Sequence, residues 1–73
     1  MAKLMRAIDM MSVWHGLSDV NAAGVIREGD LFISTGREIN DRGWCMAEVV
    51  SPRLGRCWVI ARKLHRDAVE VER

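Results

Sequence analysis

A chain of 73 residues allows one domain, spanning residues 1–73, close to the lower size at which a hydrophobic core stabilises itself. Its 49% hydrophobic content excludes disorder throughout, and 11 basic against 10 acidic side chains exclude any argument for a nucleic-acid partner from net charge. No apolar run approaches the roughly 18–20 residues of a membrane span, and the opening MAKLMRAIDMM lacks the apolar stretch and cleavage site of a signal peptide; no membrane partner and a cytoplasmic location are expected.

The first predicted element is ambiguous. Over residues 4–14, Leu4, Ile8 and Met11 fit a helical stripe, and Met and Ala favour helix. Strand alternation fits no better. Strand is preferred because the remainder reads as β and needs partners for its edges; a long loop would then run from Ala7 and Asp9 to Val25. The alternative is an α+β fold with an N-terminal helix.

Val25 and Ile26 lead into a turn at Arg27, Glu28, Gly29 and Asp30. Residues 31–35 are rich in strand formers. Residues 36–42 are polar and read as a loop, with room for one helical turn. Residues 44–50 form the next strand, in which Cys45, Ala47 and Val49 should face inward. Glu48 should then face water, with Trp44 and Met46 on that other, part-exposed face. Ser51-Pro52-Arg53-Leu54-Gly55 reads as a hairpin turn, since Pro52 has no ladder hydrogen bond to donate. Residues 56–60 give a fourth strand and residues 61–65 a short helix-tolerant turn. Residues 68–72 alternate apolar and acidic, as a half-buried final strand should. Short apolar segments between frequent turn signals point to a small all-β domain.

In this order the parts resemble an SH3-like barrel. Gly29-Asp30-Leu31-Phe32-Ile33 matches that family's second strand, and Gly43-Trp44, with Ala47 three residues on, matches the third. Residues 55–60 match the fourth strand, residues 61–65 its 3₁₀ turn and residues 68–71 the last strand. The resemblance implies a small five-stranded barrel over residues 4–71. It departs from the peptide-binding members, which hold polyproline helices between aromatic side chains. There is no Tyr in the chain; Ala7-Ile8-Asp9-Met10-Met11 stands where the family has a Tyr motif, and its later Pro and Tyr fall on or near Ala61 and Leu64. Only Trp44 keeps its place, which counts against proline-rich ligands. Residues 24–32 also resemble a phrase common in short phage-encoded proteins.

Two constellations could carry function. Trp14, Trp44 and Trp58, with Met10 and Met11, are the side chains of which protein-interface hot spots are made. Trp58 stands where the SH3 family has Gly, so it is expected to add exposed bulk. The bland reading is that these residues cap the barrel ends and complete a thin core. The second constellation is basic: Arg53, Arg56, Arg62, Lys63, His65 and Arg66, with no acid between Glu48 and Asp67. It could contact phosphates beside a stacking Trp, or be a solvated face.

Signals for catalysis and cofactors are absent from the sequence. It has no Gly-rich phosphate loop, Gly-x-Ser-x-Gly or His-Glu-x-x-His, and nothing singles out a Cys57–His65 pair. Asp9, Asp19 and Asp30 lack calcium-loop spacing. Cys45 and Cys57 are too few for a disulfide scaffold or a zinc site and read as small buried thiols on neighbouring strands. The expected function is a non-enzymatic protein-binding module, a small inhibitor or adaptor without metal or cofactor, acting through Trp14, Trp44, Trp58, Met10 and Met11. The alternatives are a nucleic-acid-binding barrel using Arg53, Arg56, Arg62, Lys63 and Arg66, and a self-assembling protein whose open β edges pair into a homo-oligomer.

Overall fold

The computed structural model describes residues 1–17, 19–41 and 43–72. The fold is mostly β. The described residues form seven strands, β1 (Lys3–Ala7), β2 (Met11–Val13), β3 (Gly24–Ile26), β4 (Leu31–Asp41), β5 (Trp44–Ser51), β6 (Gly55–Ile60) and β7 (Ala68–Glu70), and one helix, α1 (Ala61–Asp67), before the last strand. A five-stranded antiparallel sheet has the order β6-β5-β4-β1-β7, and β2 pairs with β3 in a second sheet of two strands. The N-terminal segment is therefore strand, interrupted at residues 8–10, and not the alternative helix. The expected loop up to Val25 contains the β2–β3 pair.

The long β4 strand organises the sheet. Its first half pairs with β1 (Met5↔Phe32) on one side, and both halves pair with β5 (Ile33↔Val50, Ile39↔Met46) on the other. Between them the register shifts: Ser34 opposes Val49, Glu38 opposes Ala47, and residues 35–37 face Glu48 alone. Gly36, with φ of 87°, takes the left-handed conformation that this bulge requires. Even-numbered residues stay on the inner face on both sides of the bulge, so Phe32 points into the core while Ile39 and Asp41 point outward. The expected loop at residues 36–41 is thus strand; residue 42 lies outside the described residues. Polar composition misled there because both faces of β4 are largely open to water beyond the bulge.

The core is a layer of Phe32, Ala47, Val49, Cys57 and Val59 from the large sheet, closed by Met11, Val13 and Ile26 from β2 and β3. Ala61, Leu64 and Ala68 seal one end. The buried helix residues Ala61, Leu64 and Asp67 are spaced by three, which places them on one side of an α-helical turn, and Ala, Arg, Lys and Leu are good helix formers. The segment is accordingly a seven-residue α-helix, where a 3₁₀ turn was expected. The final strand is shorter than expected. Ala68 is buried on it, whereas Val69 is exposed.

Three expectations for β5 are corrected. Ala47 and Val49 face inward, but Cys45 is exposed, because it pairs with Asn40 beside the β4–β5 turn, beyond the end of the core. Met46 is buried although it lies on the outer face. Glu48 is buried too, since it sits opposite Trp58 under the side chains that gather around its carboxylate.

Candidate functional site

The outer face of β4, β5 and β6 is read directly from the register. Asp41 opposes Trp44, Met46 lies between Ile39 on β4 and Ile60 on β6, and Glu48 opposes Trp58. Trp58 in turn pairs with Trp14, which follows β2: the Trp14 N–H donates to the Trp58 carbonyl at 2.9 Å, and the Trp58 N–H donates to the Trp14 carbonyl at 2.7 Å. These bonds bring the loop after Trp14 back over the sheet. The loop is closed on itself, with the Gly16 N–H donating to the Asp19 carboxylate at 3.0 Å.

A groove of about 310 Å³ opens between this loop and the start of β5. Trp14 and Leu17 form one wall and Trp44 the other, with Met46 and Ile60 beneath and Asp19 and Asp41 at the rim. Trp44 is 59% exposed, whereas Trp14 is half-buried. An apolar floor between two indoles, edged by carboxylates, can take an apolar chain segment and favours a cation on it.

At the Trp14–Trp58 end the chemistry changes. The Glu48 carboxylate accepts a hydrogen bond from Thr35 Oγ1 at 3.0 Å. Arg37 Nη1 lies 3.8 Å and Arg56 Nε 3.7 Å from its second oxygen. The Arg37 guanidinium also sits 5.6 Å from the centre of the Trp58 ring.

Of the five residues expected to bind a partner, the structure brings Trp14 and Trp44 together. Trp58 is only 8% exposed, covered by Arg37 and by its pairing with Trp14 and Glu48, so the expected exposed bulk is corrected. Met11 is a core residue, because β2 turns it inward opposite Ile26. Met10 is exposed, in the turn between β1 and β2, and does not line the groove. Leu17, Asp19, Met46, Ile60 and Arg37 carried no functional signal in the sequence. Asp41 could have been found, since Asp41 and Gly43 are turn formers just before Trp44 in the sequence, and Asp41 pairs with Trp44 across β4 and β5.

The basic stretch does not form one patch. Arg53 Nη2 donates to the Val25 carbonyl at 2.7 Å and lies 3.6 Å from Asp30, tying the β5–β6 turn to β3. Arg56 is on the outer sheet face with Glu48. Arg66 donates from Nε and Nη2 to both oxygens of Asp67, at 3.0 and 3.1 Å. Arg62 and Lys63 are exposed on α1 and take part in no ion pair among the described residues.

The cysteines and histidines show no nucleophilic pairing. His65 Nε2 faces Glu38 at 3.3 Å, and the Cys45 thiol donates to the other Glu38 oxygen at 3.4 Å. That hydrogen bond pushes the Cys45 thiol up, and burial does the same to Cys57, so both are held toward the less nucleophilic thiol form. Among the described residues no group of three His, Cys, Asp or Glu side chains is placed to hold a metal ion, and no helix is long and apolar enough to cross a membrane.

No protein-family model matches this chain, and searches of curated proteins and of solved structures found no match.

Proposed function

We propose that this chain is a non-enzymatic protein-binding module, suited to act as a small inhibitor or adaptor, whose binding surface is the groove between Trp14 and Trp44. The observation that carries the reading is Trp44, a large aromatic side chain 59% exposed on the wall of an apolar groove. Covering an indole removes a large apolar area from water at small cost in side-chain entropy, which is why Trp dominates interface energetics. The strand order β6-β5-β4-β1-β7, with a hairpin after β1 and a helix before β7, supports the SH3-like reading of the fold.

The ligand is an apolar segment of a protein partner carrying a basic side chain for Asp19 and Asp41. Without Tyr residues the groove lacks the parallel aromatic ridges that select polyproline, so a proline-rich sequence is not required. The nucleic-acid reading has weaker support. Arg53 and Arg66 are already paired with Asp30 and Asp67, so the basic stretch offers no continuous patch, and a carboxylate-edged groove repels a phosphate backbone.

The test is selection of displayed random peptides on the intact protein, with Trp44→Ala as the control. Peptides that bind the original chain and are lost with Trp44→Ala support the reading. Equal retention by the Trp44→Ala protein, or no enriched sequence, overturns it.

A further inference from the structure

We propose that the bound segment also presents an acidic side chain, received by Arg37 and Arg56 at the far end of the same face. This rests on the groove being the protein-binding site, and it adds a second charge and a spacing to the ligand.

The receiving pair is held in place by Glu48. Its carboxylate is nearly buried, anchored by Thr35 and flanked by both guanidiniums at 3.7 and 3.8 Å. Those separations are too long for direct hydrogen bonds. The side chains of Arg37 and Arg56 remain 63% and 74% exposed and make no hydrogen bond among the described residues. One carboxylate against two cations leaves a net positive charge. Each guanidinium keeps a planar fork of N–H donors, which matches a carboxylate. Trp58 beneath Arg37 restricts its motion further, so less freedom is lost when an anion arrives.

The register fixes where this pair lies relative to the acidic rim. Trp44, opposite Asp41, and Glu48, beside the two arginines, are four residues apart on β5. At the rise of a strand that separation is about 13 Å. A ligand that leaves the groove extended and parallel to β5 across this face has the same rise. Its basic side chain at Asp19 and Asp41 and its acidic side chain at Arg37 and Arg56 are therefore about four residues apart, with apolar residues between them over Met46 and Ile60. A nucleic acid would satisfy the arginines but meet repulsion at the other end, so the charge pattern selects a peptide of mixed charge.

The test compares extended, otherwise apolar peptides in backbone-amide NMR titrations of the whole chain. One carries Arg and Glu four residues apart, one the same pair in reverse order, and two controls replace Glu by Gln in each. The better of the two Arg/Glu orders should bind about tenfold more tightly than its Gln control, the worth of a charge-assisted hydrogen bond. The difference should vanish in Arg37→Gln/Arg56→Gln, with the Gln peptide binding as before. Equal binding of Glu and Gln peptides to the unaltered protein overturns the inference while leaving the groove reading standing. Binding by none of the peptides, or stronger binding of a single-stranded oligonucleotide with shifts at the same residues, overturns both.

Discussion

Trp14 and Trp58 exchange both of their backbone hydrogen bonds, and that pair latches the two-stranded sheet to the β6 edge of the larger one. The latch covers the outer strand and sets the position of the groove wall. The amides of Trp14 and Trp58 should therefore exchange with solvent as slowly as those of the β5–β6 ladder, with Leu17 and Asp19 exchanging much faster. Rapid exchange at Trp58 would mean that the latch is open in solution.

Trp44 and Trp58 are both outward-facing residues of one sheet, yet they should respond differently to truncation. Trp58→Ala removes a buried indole and should cost about 3–5 kcal/mol, enough to unfold a domain of this size. Trp44→Ala should change stability by less than about 0.5 kcal/mol, because the side chain is already in water. Urea denaturation followed by circular dichroism distinguishes the two.

Glu48→Gln keeps the shape of the buried side chain and removes its charge. The loss should be about 1 kcal/mol, mostly from weakening the Thr35 hydrogen bond. The two ion pairs add little because their arginine ends are exposed to water. An unchanged urea midpoint would show that the cluster does not stabilise the fold.

Asp67 gives a pH dependence of known sign. The Arg66 hydrogen bonds hold its carboxyl below the ordinary 3.8, with burial opposing them. A carboxyl depressed in the folded state contributes stability that is present above its unfolded value and lost as pH falls through the folded one. The stability gap between the original protein and Asp67→Asn should therefore be constant near neutrality and shrink below about pH 4. A gap that widens on acidification would contradict the pairing.

Gly55 closes the β5–β6 turn with φ of 76°, and a Cβ added there would meet nothing within 4 Å. Gly55→Ala isolates the penalty for a left-handed backbone and should cost about 1–2 kcal/mol. Thermal or urea unfolding reads it without interference from packing.

The sequence by itself determined the all-β class, the turns at residues 27–30 and 51–55, and the strands on either side of Pro52. Each is recorded locally, as strand formers between Gly, Pro and Asp punctuation. It also marked Trp44, though not the company Trp44 keeps. The extent of β4 could not be read, because the bulge at Gly36 gives polar residues a hydrogen-bonded partner in β5 that local composition does not reveal. The same holds for burial on the outer face. Alternation correctly put Glu48 on the side away from the core, and the SH3 resemblance made Trp58 exposed bulk, but the pairing of Trp14 with Trp58 and the approach of Arg37 from β4 covered them. The groove joins Trp14, Leu17 and Asp19 to Asp41, Trp44, Met46 and Ile60, and the basic stretch was dispersed by acids at residues 30, 48 and 67, two of them on other strands or turns. Periodicity reports which way a side chain points; what lies above it is decided by strands distant in the chain, and only the tertiary structure specifies those neighbours.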